Sequence, residues 1–225
     1  MVALQGLLVS ASLALSAFGL AIERNEQACA SYTIISARGT TEPQGPSIGF
    51  KNMNSNILKQ KNGGNVYNVV YPAAFDQNSD LGTADIVRKV KELVGQNPAE
   101  CIILQGYSQG ASATCDALPE LTGPAFDAVK GVVLLGNPEH RPDLTCNVDL
   151  YGGKSTRKAV GFFGTKGGIP SEWASKSLDV CNFGDGVCDS AHGIGITLQH
   201  FGYIFSPQTQ SMGAKFMLKK LALGG

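Results

Sequence analysis

Charge is scarce in this chain. Of its 225 residues 16% are charged, 18 acidic against 18 basic, and no run of like charge is longer than Lys219-Lys220. A surface of zero formal net charge has no field with which to gather polyanions, which excludes nucleic acid and anionic membrane as expected partners. Close-spaced Cys or His pairs of the kind that close a tetrahedral zinc site are missing, so neither metal nor cofactor is expected. No Asn-x-Ser/Thr triplet is present, and N-glycosylation is not expected. Apart from one apolar stretch near the start, no segment is long enough to span a bilayer, and the tail from Lys219 to Gly225 is too short and too charged to signal a lipid anchor. Histidine occurs only at His140, His192 and His200, so any imidazole chemistry draws on three candidates.

What is present begins with the stretch Leu4 to Ala21, rich in Leu, Ala, Val, Ser and Gly and followed at once by Glu23-Arg24-Asn25-Glu26-Gln27. Its start carries no Lys or Arg, but Ala17, Gly19 and Ala21 offer small-residue cleavage points, and the stretch is short and diluted for a membrane anchor. The reading is a secretory signal over residues 1–21, a short N-terminal segment over 22–28, and one domain over 29–225, an extracellular chain. All six cysteines, Cys29, Cys101, Cys115, Cys146, Cys181 and Cys188, lie beyond the leader, and an even number in an oxidising compartment predicts three disulfides. Only Cys181 with Cys188 is favoured by closeness in sequence.

Hydrophobic residues make up 43% of the chain, enough for one sizeable core. Apolar, β-branched runs at residues 32–36, 66–71, 101–105, 132–135 and 159–163 predict five strands, and their near-continuous apolarity predicts burial on both faces, as in a parallel sheet. Helical patterns alternate with them. The clearest places Ile86, Val87, Val90, Leu93 and Val94 on one stripe and stops at Gly95 before Pro98; another precedes Gly63-Gly64, and a last one runs from about Gln210 to Leu223. Strand and helix in alternation give an α/β three-layer sandwich with a central, mostly parallel five-stranded sheet. Nothing between the strands is long enough to form a large lid.

Gly106-Tyr107-Ser108-Gln109-Gly110 sits between the third run and a helical segment. A serine on a sharp strand-to-helix turn, with glycine two residues to either side, is the nucleophile elbow of an α/β-hydrolase. Such a serine needs a base, and that fold orders its triad as serine, acid, histidine. His140, in Asn137-Pro138-Glu139-His140-Arg141-Pro142, leaves too little sheet for an acid strand before it and reads as a solvated loop residue. The base is therefore His192 or His200. Asp185 lies inside the loop that a Cys181–Cys188 bridge would clamp, flanked by Gly184 and Gly186, and rigidity there suits a carboxylate whose task is to orient an imidazole. Asp189 is the backup acid.

Together Ala37-Arg38-Gly39-Thr40-Thr41-Glu42, the elbow, the Cys181 to Cys188 loop with Asp185, and His200-Phe201-Gly202-Tyr203 resemble the cutinase and acetylxylan esterase family over nearly the whole domain. The resemblance implies Ser108 as nucleophile, His200 rather than His192 as base, Asp185 as orienting acid, and an oxyanion hole from the N–H of Gln109 and from Thr40. It also implies pairing of Cys29 with Cys101 and of Cys115 with Cys146. Ile194, Ile196 and Leu198 alternate before His200 and form a candidate apolar lip, closer in that respect to cutinases. The expectation is a monomeric, secreted serine carboxylesterase acting on aliphatic esters such as cutin, a polymeric substrate. The alternatives are removal of acetyl groups from xylan, and a surface-binding protein on an inactive scaffold.

Overall fold

The structure is a computed structural model describing residues 28–223; the expected leader over 1–21, and residues 22–27, lie outside them. In chain order the regular elements are β1 (Tyr32–Ala37), α1 (Lys51–Gln60), β2 (Gly64–Asn68), α2 (Asp80–Gln96), β3 (Cys101–Tyr107), α3 (Gln109–Ala117), α4 (Pro124–Ala128), β4 (Val129–Leu135), β5 (Asn147–Val148), β6 (Ser177–Val180), α5 (Gly202–Phe205) and α6 (Pro207–Leu223). The strands form one sheet in the order β2-β1-β3-β4-β6-β5 with every pairing parallel. No helix of the described residues is long and apolar enough to cross a membrane.

Continuous apolarity in the strands has the cause that the sequence suggests. Ile34 and Ile103 face a core built with Phe50, Met53, Ile57, Met217 and Leu221 under α1 and α6, whereas Ile35, Ile102 and Leu104 face Ile86, Val87, Val90 and Ala111 under α2 and α3. Side chains alternate faces along a strand, and here each face meets helices, so both sets must be apolar. The Cys29–Cys101 disulfide ties the start of the chain to the start of β3, and the Cys29 N–H donates to the Leu221 carbonyl at 3.0 Å, closing the α6 side.

Three expectations are corrected. The sheet has six strands, not five. Residues 159–163 turn instead of pairing: the Phe162 N–H donates to the Val187 carbonyl (2.9 Å) and the Phe163 N–H to that of Pro138 (2.7 Å), and Gly161 passes so near Pro138 that any Cβ would collide with its backbone. The strands that escape the pattern are β5, two residues long, and β6, where Ser177 and Asp179 break the apolar run. Cys115 and Cys146 are not bridged. Both are buried thiols, and each sulfur faces a polar partner, Cys115 the Asn137 amide (3.5 Å) and Cys146 the Asn147 side chain (3.8 Å).

His140 is the third correction, since it is buried rather than solvated. Its Nδ1 is 2.8 Å from Asp179 Oδ2 on β6, and its Nε2 is 3.3 Å from the Thr156 carbonyl. Burial alone would keep the imidazole neutral, but the Asp179 carboxylate and the bonds at both nitrogens outweigh it and raise its pKa. The pair fastens the turn after β4 to β6, its neighbour in the sheet. Beside it Glu139 is buried, with Oε2 accepting the Gly168 N–H at 3.1 Å, and burial followed by the neighbouring Asp116 charge pushes its carboxyl up to about 7. Raised pKa values of this sign give stability that is complete below the unfolded value, about 4.3 for Glu, and is lost as the pH climbs through the folded one. Glu139→Gln should therefore flatten the fall in unfolding free energy between about pH 4.5 and 7, by up to about 3 kcal/mol, as measured by urea denaturation across that range.

Candidate active site

Parallel strands deliver their C-terminal ends to one edge, where ligands of open α/β sheets bind. Register places Ala37 of β1 beside Gly106 of β3, Tyr107 beside Leu135 of β4, and Leu135 beside Val180 of β6, so the segments leaving these strands emerge together. Ser108 follows β3 at φ 54° and ψ −121°, a conformation that costs a non-glycine residue energy and persists only where its surroundings impose it. They do so here. The Ser108 N–H donates to the Leu135 carbonyl (3.0 Å), and a Cβ on Gly106 or Gly110 would run into the α3 backbone or into the carbonyls of Ala37 and Arg38.

His200 and Asp185 meet directly. The imidazole Nδ1 lies 3.0 and 2.9 Å from the two oxygens of the Asp185 carboxylate, with both residues buried. Asp185 Oδ1 also accepts the Val187 N–H at 3.0 Å, inside the loop closed by the Cys181–Cys188 disulfide. The imidazole is set beside the elbow by two contacts. The Tyr107 ring stacks on it with centroids 5.3 Å apart, while its hydroxyl donates to the His200 carbonyl at 3.0 Å. On the β4 side Gly136, at φ 56°, has no room for a side chain, because a Cβ would lie 2.8 Å from His200 Cε1. Among the described residues the Ser108 hydroxyl makes no hydrogen bond to the imidazole, a bond that in unliganded sites often tightens only with substrate. His192 is placed elsewhere: half-exposed, it pairs through Nδ1 with Asp189 (2.9 Å) and packs on Phe183.

Thr40 and Gln109 come together across the elbow. Thr40 Oγ1 accepts from Gln77 Nε2 (3.1 Å) and has Gln109 Oε1 at 3.3 Å to donate to, while Gln109 Nε2 reaches the Ala74 and Asn78 carbonyls. As the first residue of α3, Gln109 has an N–H with no carbonyl one turn behind it. The Thr40 loop is held by its neighbours. Buried Arg38 donates from Nε to the Glu42 carbonyl (2.7 Å) and from its terminal nitrogen to that of Tyr71 (2.6 Å), and the Glu42 carboxylate accepts from the Gly39 and Ile48 N–H groups.

A cleft of about 160 Å³ opens over Ser108, lined also by Gln77, Pro138, Phe162, Phe163, Val187 and Ile196. Of the expected lip only Ile196 reaches it; Ile194 and Leu198 are exposed, at 94% and 87%, and stand off its lining. Phe162, Phe163 and Pro138 do not stand out in the sequence as cleft residues, because the phenylalanines share the composition of a strand, although glycines at 161 and 164 flanking two aromatics signal a turn.

A model of the cutinase family matches residues 28–221. The chain belongs to the cutinase family. It is a serine carboxylic ester hydrolase. It is 30% identical over 196 residues to cutinase cut1 of Trichoderma harzianum, covering 84% of this chain and 67% of that protein. It is 27% identical over 208 residues to phospholipase Culp4 of Mycobacterium tuberculosis, covering 86% and 80%. Among solved structures, a cutinase-like protein from Cryptococcus sp. superposes with a TM-score of 0.85 at 54% identity, over 87% of this chain and 97% of that one. An acetylxylan esterase shares the fold, with a TM-score of 0.68 at 23% identity over 85% and 98%.

Because backbone and not a flexible side chain blocks position 110, Gly110→Ala in this cutinase-family chain should cost stability at or above the upper end of the roughly 1–3 kcal/mol typical of overpacking and displace the elbow. Denaturant unfolding and esterase assay of the same preparation check both effects.

Proposed function

We infer that Ser108, His200 and Asp185 act as a Ser-His-Asp triad that hydrolyses aliphatic carboxylic esters through an acyl-enzyme. One observation carries the reading: the Asp185 carboxylate takes Nδ1 of His200, while Tyr107, next in sequence to the strained Ser108, stacks on the same ring. With Nδ1–H committed to the carboxylate, the neutral imidazole keeps its lone pair on Nε2, the nitrogen that a general base needs.

Ser108 Oγ attacks the ester carbonyl carbon as its proton passes to His200 Nε2. The tetrahedral oxygen takes up the negative charge and accepts from the Gln109 N–H and from Thr40, donors each worth roughly 3–4 kcal/mol to the barrier. Collapse breaks the ester C–O bond, and His200 returns the proton to the departing alcohol. Water then repeats the sequence on the acyl-enzyme, losing its proton to His200, and the carboxylic acid leaves as Ser108 recovers its hydrogen. Asp185 stays ionised throughout and stabilises the imidazolium of each half-reaction.

The cleft favours an acyl chain over a sugar. Phe162, Phe163, Val187 and Ile196 offer apolar surface and little to hydrogen-bond hydroxyls, which supports short to medium aliphatic esters and a polyester such as cutin. Two disulfides and the expected leader support secretion.

Ser108→Ala and His200→Ala should each lower kcat on p-nitrophenyl butyrate by about 10⁴-fold or more, whereas His192→Ala should retain most activity. The reverse ranking of the two histidines would overturn the assignment of the base. Phe162→Ala should reduce the ratio of butyrate to acetate hydrolysis by about five-fold in kcat/KM. A wild-type enzyme with a sharp preference for acetyl would point instead to deacetylation of a polysaccharide.

A further inference from the structure

Tyr203 is fully buried three residues beyond His200, and its hydroxyl sits where the Asp185 loop, the end of β6 and the histidine segment meet. The phenol oxygen accepts the Asn182 N–H at 2.8 Å and lies 2.6 Å from Asp185 Oδ2. Because an amide N–H can only donate, the phenol proton must point to another acceptor. Cys188 Sγ, 3.4 Å away, is in a disulfide and has no proton to offer, and it is a poorer acceptor than an ionised carboxylate. Tyr203 therefore donates to Asp185. The oxygen that receives this bond is the one 2.9 Å from His200 Nδ1. Burial, and then the adjacent Asp185 charge, push the phenol well above its ordinary pKa, which keeps its proton available for donation.

We propose that Tyr203 is a positioning residue for the reaction: its hydroxyl, aimed by the Asn182 N–H, pins the Asp185 carboxylate in the orientation that receives His200. The inference rests on the triad reading above. The Val187 N–H holds Oδ1 and the hydroxyl holds Oδ2, so each carboxylate oxygen has a donor besides the imidazole. The bond also tempers the charge that His200 feels. Fewer donors make a carboxylate more basic, and a more basic partner favours the imidazolium. The Tyr203 ring also touches Tyr107 and His200 edge-on, and a phenylalanine would preserve that packing, so the oxygen can be tested separately from the ring.

The test compares kcat, KM and the pH profile of kcat/KM on p-nitrophenyl butyrate for wild type, Tyr203→Phe and a protein carrying a fluorinated tyrosine at 203, with melting temperature as the control for packing. Tyr203→Phe should lower kcat by about ten-fold with little change in KM, and should move the acid limb of the profile upward by about half a pH unit or more. The fluorinated phenol is a stronger donor of nearly the same shape and should move the limb the opposite way. It carries the test alone if the phenylalanine variant does not fold. Unchanged profiles with kcat within about two-fold of wild type overturn the proposal, as does a purely thermal effect without a kinetic one. Asp185→Asn separates the two readings. Full activity in that variant means that the triad assignment has failed, whereas a collapse there beside silent Tyr203 variants means that only this proposal has. In the Asp185→Asn background Tyr203→Phe should add little further loss, and full additivity overturns the proposal.

Discussion

A carboxylate removed from water must be met by donors or give up its charge, and Asp185 has no exposure at all. Its oxygens receive a backbone N–H from Val187, the Tyr203 hydroxyl and His200 Nδ1. Much of the surrounding architecture answers to this one group. The short loop between Cys181 and Cys188 presents the carboxylate, and the residues after the exposed Ile194 to Leu198 segment bring the imidazole and the phenol to it. Tyr107 then couples this buried set to the elbow, because one aromatic side chain both stacks on the imidazole and bonds its backbone carbonyl.

The opposite wall depends on a second buried polar set. His140, Asp179 and Asn137 share hydrogen bonds beneath the turn whose Pro138 lines the cleft. The turn also accepts the Phe163 N–H at the Pro138 carbonyl and the Gly161 N–H at that of His140, which brings the two phenylalanines over Ser108. Wall and floor are thus held by ionic and backbone hydrogen bonds, with the apolar lining supplied only by the faces that remain. A site of this kind exposes hydrophobic surface without depending on that surface for its shape.

Features set by local chemistry were legible in the sequence. Glycines at 106 and 110 are demanded by backbone collisions that any such turn creates, and they mark the elbow without knowledge of the rest of the chain. The stripe from Ile86 to Val94 marks α2 because a helix covering a sheet must be apolar on one side. Features created by distant partners were not legible. Nothing near His140 announces that Asp179 will come to lie against it, and a polar pair inside β6 breaks the apolar run by which a core strand is recognised. Counting cysteines likewise predicts a third bridge, but parity records how many thiols exist and says nothing about where α3 and the β5 loop carry them. The Phe162-Phe163 pair has strand-like composition, and only the near passage of Gly161 to Pro138 turns it into cleft lining.

The two disulfides close loops of very different length, 72 residues for Cys29–Cys101 and seven for Cys181–Cys188. Chain entropy makes the first the greater restraint on the denatured ensemble and leaves the second a small one. The short bridge instead shapes a segment that the native state already encloses. Reductive damage would accordingly divide into two kinds: opening one bond would leave a molecule that melts earlier, and opening the other a molecule nearly as durable whose Asp185 carboxylate is no longer fixed in place.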